Sequence, residues 1–390
     1  MNIDYIREDI PYYGNKIFLN SAGSSLMPSS VVEKINNYLQ KEQEIGGYYL
    51  ADSRLEEIAD FYQQAAKLIG ENPHNIAFTH DATDAYIKAL TSIDFKPDDV
   101  IITTDDDYAS NQIQFISIKK RFGIQVFRMK NLENGDLDTA DFERLVEMYH
   151  PKLVAVSHVP TNSGLVQNAE AVGEICQREE IIYLVDACQS VGQFDVRVSE
   201  LKCDFLSVTG RKFLRGPRGT GFLYVSDRML NEGYAPLMID GGGAIWKDEN
   251  HYDVLPTAQR FETWEKPYAL VVGLTEAFRY ANELGMKNIE TQNQILMNRL
   301  RDNLSNISEV TQYDQGSKKC NILTFRKEGL SLQTIKEKLE QNNVFFSVSN
   351  REWGVIDYKK KEIDGTIRLS PHYFNTLVEM DRVAEIIADI

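Results

Sequence analysis

Cysteine is scarce, with 4 in 390 residues. Cys176, Cys188, Cys203 and Cys320 stand far apart with no metal-ligand spacing, so neither a disulfide framework nor a metal centre is expected. All four should be reduced and mostly buried. Positive charge is also in short supply: 42 Lys and Arg stand against 58 Asp and Glu, for a net charge of -16. Binding to a phosphate backbone rests on clustered cations, and nucleic acid is therefore not an expected partner. No apolar run approaches the roughly 20 residues of a membrane span, and the opening MNIDYIREDI is acidic and polar. A cytoplasmic location and no membrane partner follow as expectations. A G-x-G-x-x-G element opening a βαβ unit is missing too, which argues against a nicotinamide dehydrogenase. Repeats, low-complexity tracts and Pro/Gly/Ser-rich linkers are equally absent, so any domains should share an extensive interface.

What is present is an alternation of short apolar runs with helix-length amphipathic segments. IAFT (76–79), VIITT (100–104), LVAVSHV (153–159) and IIYLVD (181–186) predict α/β units around a largely parallel sheet. FLSVT (205–209) and GFLYV (221–225) follow with connections too short for helical crossovers, so part of that region should pair antiparallel. From about Pro267 the pattern changes to two long helical segments, 268–284 and 287–307, then a βαβ-like tail and a helix from Thr376. The expected division is a large α/β domain over 21–266 and a small α+β domain over 267–390, with 1–20 packing against the small one. Ser30 with Glu33 and Thr376 with Glu379 fit the S/T-x-x-E capping box, a structural role.

The chemistry is concentrated in SVTGRKFLRGPRGTG (207–221), where Lys212 stands between an apolar run and a glycine-rich turn. Asp186 ends another apolar run, at the carboxyl edge where open α/β sheets bind ligands. An amine and a carboxylate so placed suit pyridoxal 5′-phosphate (PLP), the amine for a Schiff base and the acid for the pyridinium nitrogen. Gln189 is within reach of the ring's phenolic oxygen, whereas Cys188 reads as packing. HDATDAYIKAL (80–90) offers a strand-to-helix turn whose first amides face an anion, with the Thr83 hydroxyl beside them. Thr209 and Arg211 bring a second hydroxyl and a guanidinium to the same oxygens if both share a face. Asp81 is an anion in the wrong place, and is expected to cap the helix and point away. Asn162, just beyond LVAVSHV, is a further candidate for the ring oxygen, and His158 reads as a buried, hydrogen-bonded structural residue. Trp246, Trp264, Trp353, Tyr48 and Tyr49 are of a kind to line a pocket for a large or aromatic group, but aromatic residues are more often core than pocket, and they are left out of the site.

LNSAGSSLMP (19–28), DYASN, HVPTNSGLVQN, VDACQS, TGRKFLRGPRGTGF and IRLSPHYFNT (367–376) occur in order along nearly the whole chain. With these motifs it resembles the class V aminotransferases of PLP fold type I, a group with cysteine desulfurases, selenocysteine lyases, kynureninase and isopenicillin N epimerase. The resemblance implies Lys212 as the Schiff-base lysine, Asp186 on the pyridinium nitrogen and Gln189 on the ring oxygen. It implies Ala82, Thr83 and Thr209 at the phosphate, Tyr108 stacked where the family usually has His, and Arg368 clamping the substrate α-carboxylate. It also implies a homodimer acting on a small-molecule amino acid, with 260–266 approaching the neighbouring subunit's site.

Departures from the family pattern bear on the reaction. Desulfurases carry a reactive cysteine ahead of the carboxylate-binding arginine, but VSNREWGVIDY (348–358) has none, and Cys320 reads as strand-interior packing. Arg211 replaces the common His before the lysine, and Glu265 stands where a Thr often reaches the neighbour's phosphate. The chain is most similar to the branch that includes hercynylcysteine sulfoxide lyases and epimerase-like relatives. The expected activity is β-elimination at a C–S bond of a cysteine-derived or cysteine sulfoxide substrate. Transamination and epimerisation are the alternatives, and desulfuration is disfavoured.

Overall fold

The apolar runs become one seven-stranded sheet in the computed structural model, which describes residues 1–390. Its strands are β1 (Ile76–Thr79), β2 (Val100–Thr103), β3 (Gln125–Arg128), β4 (Leu153–Ser157), β5 (Ile182–Asp186), β6 (Phe205–Thr209) and β7 (Gly221–Val225), in the spatial order β1-β7-β6-β5-β4-β2-β3. All neighbours are parallel except that β7 runs against both β1 and β6. The short link from β6 to β7 holds no helix and can serve only an antiparallel pair. This is the mixed, mostly parallel sheet that the sequence pattern predicts. Alternate residues of one strand feed opposite cores: Val154 and Val156 of β4 join one cluster, and Leu153 and Ala155 the other. Both faces are covered, which is why the run is apolar throughout rather than alternating.

A second, wholly antiparallel sheet contains β8 (Val310–Gln312), β9 (Leu323–Lys327), β10 (Ser347–Asn350) and β11 (Gly365–Leu369) in the order β8-β9-β11-β10. Its core includes Leu296, Leu300, Leu339, Val383 and Ile387 from three helices. Residues 17–26 bridge the two sheets. Ile17 and Phe18 pair in parallel with Val344 and Phe345. Ser370 N donates to Leu19 O at 2.8 Å, and Ser21 N to Ser370 O at 3.1 Å. Farther along, Ser25 N donates to Arg211 O at 2.8 Å, and Arg215 Nε to Leu26 O at 2.8 Å.

Several details differ from the sequence reading. Helix Tyr268–Leu284, grouped above with the tail, packs its buried face on helices Ser29–Ile45 and Leu55–Ile69. Gly273 permits the approach, since a Cβ there would stand 2.4 Å from Ile35 Cγ1. The capping box at Thr376 and Glu379 is formed. The one expected at Ser30 is not: helix Ser29–Ile45 starts after extended Pro28 and has no side-chain cap. Asp9 O instead accepts from Ser29 N at 2.9 Å and from Ser29 Oγ at 3.2 Å. Cys320 is buried as expected, but it precedes β9 rather than lying within it. The aromatic residues left out of the site are outside the core too, with Trp246 80 % and Tyr49 78 % exposed and Tyr48, Trp264 and Trp353 exposed as well. No helix is long and apolar enough to cross a membrane.

Candidate active site

Parallel pairing sets Ser157 of β4 beside Asp186 of β5, and Asp186 beside Ser207 of β6. A cavity of about 260 Å³ opens at this carboxyl edge, lined among others by Ala82, Thr83, Tyr108, Asp186, Gln189, Thr209, Arg211 and Lys212. Eight residues singled out from the sequence thus meet at one place.

Lys212 rides on a turn closed by main-chain hydrogen bonds: Gly216 N to Gly210 O at 2.8 Å, Arg215 N to Lys212 O at 3.0 Å and Gly210 N to Thr220 O at 2.9 Å. Gly216 is required by space, because a Cβ would lie 2.5 Å from Leu274 Cδ1 and 3.1 Å from Gly210 O. Arg215, in the left-handed region at φ 59°, anchors the turn from below. Its buried guanidinium donates to Leu26 O and to Tyr373 Oη, each at 2.8 Å, and lies 4.9–5.5 Å from the ring centroids of Tyr280, Tyr373 and Phe374. The Lys212 amine makes no hydrogen bond or ion pair, and its Nζ sits 5.9 Å from the centroid of the Tyr108 ring. Burial, with Arg211 and Arg368 adding to it, lowers its pKa to about 8 against the pull of Cys188 and Asp186. A buried lysine near this value keeps a substantial neutral, nucleophilic fraction at neutral pH.

Asp186 is held by two donors, Cys188 N to Oδ1 at 2.9 Å and Asn111 Nδ2 to Oδ2 at 3.0 Å, which leaves lone pairs for a ring N–H. Behind it lies Asp107, which accepts from Tyr108 N at 2.7 Å, Asn111 Nδ2 at 3.1 Å, Gln112 Nε2 at 2.8 Å and the Ser157 hydroxyl. Burial raises the Asp107 pKa to about 6. Gln189 donates to Ala22 O at 3.2 Å and Thr161 Oγ1 at 3.1 Å, and its Oε1 is buried without a partner.

At the other end of the cavity, Ala82 and Thr83 form the first turn of helix Ala82–Thr91, whose N-cap Asp81 accepts from Asp84 N at 2.8 Å. Asp81 caps as expected, yet it also borders the cavity. Thr209, Arg211 and Arg218 complete that end. Arg211 is steadied by Gly23 O. Two guanidiniums, two hydroxyls and a helix N-terminus outweigh the one carboxylate, and the set suits a phosphate.

Arg368, on β11, does not line the cavity, although its charge bears on Lys212. It is buried behind Thr161, donating to Thr161 O at 2.8 Å and Ser347 Oγ at 3.2 Å, while Nε has no partner. No carboxylate pairs with it, and burial lowers its pKa to about 10. A desolvated guanidinium with a spare N–H fits an incoming carboxylate.

Asn162 does not line the cavity: it is fully buried and donates to Asp357 Oδ2 at 3.1 Å, leaving the wall to Thr161. His158 is buried as expected, but neither ring nitrogen has a hydrogen-bond partner. Burial pushes its pKa down to about 4, so the ring is neutral. Cys188, read as packing, stands on the cavity wall, with its pKa raised well above the usual thiol value by burial and then by Asp186. Ser157, Thr161 and Arg218 were missed by the sequence reading. For Arg218 the second basic residue in RGPRG is the available signal, whereas nothing local marks Ser157 or Thr161.

An unpartnered amine, a carboxylate with free lone pairs, an orphaned amide oxygen and a cationic helix end together fit the donor and acceptor pattern of PLP. Comparison with known proteins agrees. Residues 17–383 match the family model described as aminotransferase class-V. A probable cysteine desulfurase of Pyrococcus abyssi is 27 % identical over 393 residues, 99 % of this chain and 96 % of that protein. One from Methanothermobacter thermautotrophicus is 26 % identical over 396 residues, covering 100 % and 98 %. Among solved structures, the apo cysteine desulfurase of Thermococcus onnurineus superposes with a TM-score of 0.91 at 27 % identity, covering 99 % of this chain and 97 % of that one.

Proposed function

The chain belongs to the class-V aminotransferase family and is a PLP-dependent enzyme acting on amino acids, and from that premise we propose that it is a β-elimination lyase that cleaves a C–S bond. The substrate class we assign is a cysteine derivative or a cysteine sulfoxide. When bound, PLP supplies the electron sink that makes a substrate α-proton removable. The rest is done by the protein. Lys212 would hold the cofactor through Nζ, and the same amine is placed to take the proton from the substrate α-carbon. Arg368 orients the α-carboxylate, and Asp186 accepts the ring N–H. Thr83, Thr209, Arg211 and the amides at Ala82 and Thr83 hold the phosphate, Tyr108 covers the ring, and Gln189 meets the ring oxygen. Loss of the sulfur group and hydrolysis yield a thiol or its oxidised counterpart, pyruvate and ammonia.

The observation that carries lyase over desulfurase is the placement of thiols. A desulfurase needs an activated thiolate at the substrate sulfur. Here the segment over 348–358 contains no cysteine, Cys176, Cys203 and Cys320 are buried away from the cavity, and Cys188 is beside Asp186 with its proton held tightly. The relatives named cysteine desulfurase also break a cysteine C–S bond, so the two readings differ in the sulfur acceptor. Purified enzyme incubated with S-substituted cysteines and their sulfoxides should release pyruvate, in Cys188→Ala as in the parent but not in Lys212→Ala. Transamination without pyruvate rejects the lyase reading, and sulfur transfer that disappears with Cys188→Ala restores the desulfurase.

We further assign a cytoplasmic homodimer, with a large domain that takes in helix Tyr268–Leu284 and a small domain formed by the rest of the tail. The exposed aromatic residues Tyr48, Tyr49, Trp246 and Trp264 support a partner-covered face, and the four unpaired cysteines suit a reducing compartment. A fully active monomer in sedimentation would refute the dimer.

A further inference from the structure

We propose that Asp107 is a positioning residue that acts through Asn111 to fix the Asp186 carboxylate and to place negative charge behind it. The inference rests on the cofactor placement proposed above.

Asn111 is buried in the first turn of helix Ala109–Phe122, and Asp107 lies four residues earlier in the loop that leads into it. Its Nδ2 donates to Asp107 Oδ1 at 3.1 Å and to Asp186 Oδ2 at 3.0 Å. An amide NH2 has two hydrogens, and both are spent holding two carboxylates in register. Asp107 cannot drift, because its four donors come from its own loop, from helix Ala109–Phe122 and from β4. Moving Asp107 therefore moves Asn111, and with it one of the two donors that orient Asp186. The main-chain N–H of Tyr108 is fixed by the same carboxylate, which ties the stacking residue to the same support.

The charge matters as well as the position. Asp107 is ionised above about pH 6, its pKa raised by burial and by Asp186. Ionised, it stabilises a protonated ring nitrogen on the far side of Asp186 through a low-dielectric interior. Other titratable groups surround it. Asp106 shares its loop, and burial, then Asp357, pushes its pKa well above the usual carboxylate value against the pull of Lys361. Tyr86 approaches from helix Ala82–Thr91 and is kept neutral by burial. Arg128 of β3 is connected through Gln112, at 2.6 Å from its Oε1. Lys212 faces the pair across the cavity. Asp186 raises the Asp107 pKa through its charge, and Asp106 and Tyr86 feel the Asp107 charge in turn.

The test is PLP titration of the apo protein from pH 5 to 8, followed by fluorescence, for the parent, Asp107→Asn, Asp107→Glu and Asp186→Ala. Asparagine resembles a protonated aspartate in shape and charge. The ratio of dissociation constants, Asp107→Asn over parent, should be on the order of 10 at pH 8 and approach unity at pH 5. Asp107→Glu should restore most of the affinity at pH 8. A ratio that is unity throughout, or that is raised equally at both ends, overturns the proposal, since a purely structural defect does not follow the ionisation of Asp107. If Asp107→Asn fails to fold, Asn111→Ser breaks the bridge while leaving the Asp107 charge, and must weaken PLP binding at pH 8; parent-like binding in that variant overturns the positioning role. Asp186→Ala separates the two layers. Parent-like binding in that variant refutes the cofactor placement, whereas weak binding there with parent-like Asp107→Asn refutes only the role of Asp107.

Discussion

Removing the Lys212 amine should stabilise the folded protein while abolishing its chemistry. Lys212 is 7 % exposed, has no ion pair, and its pKa falls from 10.5 to about 8. The depressed value means that the native state binds the proton less well than the unfolded chain. At about 1.4 kcal/mol per pH unit, holding the charged amine costs roughly 3 kcal/mol. The sign follows from the proton count: below pH 8 both states are protonated and the whole cost is present. Between pH 8 and 10.5 only the unfolded chain keeps its proton, and stability rises with pH until the cost is gone. Lys212→Met keeps the methylene stem and deletes the charge. For 390 residues, with about 2 cal/mol/K of unfolding entropy per residue, 3 kcal/mol corresponds to a rise in Tm of about 4 °C. Thermal unfolding of the apo proteins should show that rise at pH 7 and little of it at pH 10. No gain at pH 7 would refute the assignment of Lys212 as an unpaired buried cation. An equal gain at both pH values would assign it to packing instead.

The remaining expectations concern the substrate clamp and a helix start. Arg368→Lys keeps the charge and loses the planar fork, so KM for the amino acid should rise about 100-fold with a smaller change in kcat. Steady-state kinetics check this, and an unchanged KM removes Arg368 from substrate binding. Thr376→Ala should cost about 1 kcal/mol in denaturant unfolding, because both halves of its capping box are formed. Ser30→Ala should stay within about 0.5 kcal/mol, because Ser30 Oγ makes no hydrogen bond.

The site was legible where chemistry and backbone constraint coincide in a short stretch. Lys212, Thr209 and Arg211 stand out because a strand end, two glycines and the required amine fall within eight residues. Asp186 stands out because a strand that is apolar throughout ends on a charge. Where facing depends on register, one residue is enough to mislead: Asn162 points to Asp357, and the neighbouring Thr161 takes the wall. Asp107 and Asn111 were hidden in a quoted motif, as the first and last residues of DYASN. Their spacing of four across a helix start could have linked them to each other, but only the fold joins Asn111 to Asp186, 75 positions later. Ser30 failed as a cap for a similar reason. Its pattern is local, while the acceptor in use is the carbonyl of Asp9, 20 residues away from Ser29. The five exposed aromatics show the limit of composition, since ring size states a preference for burial and not the partner that satisfies it.

Residues 17–26 touch strand 344–345, Ser370 and the lysine turn at once. During synthesis this ribbon leaves the ribosome 189 positions before its contact on the lysine turn and 351 before Ser370, the two partners it must lie between. It has no template until almost everything else has been made, and the loop it closes is among the longest the chain can form. Competence to capture the aldehyde is therefore a late event, set when the strap is threaded into place rather than when the large sheet condenses. Until then the nascent enzyme carries its lysine on a turn with no roof.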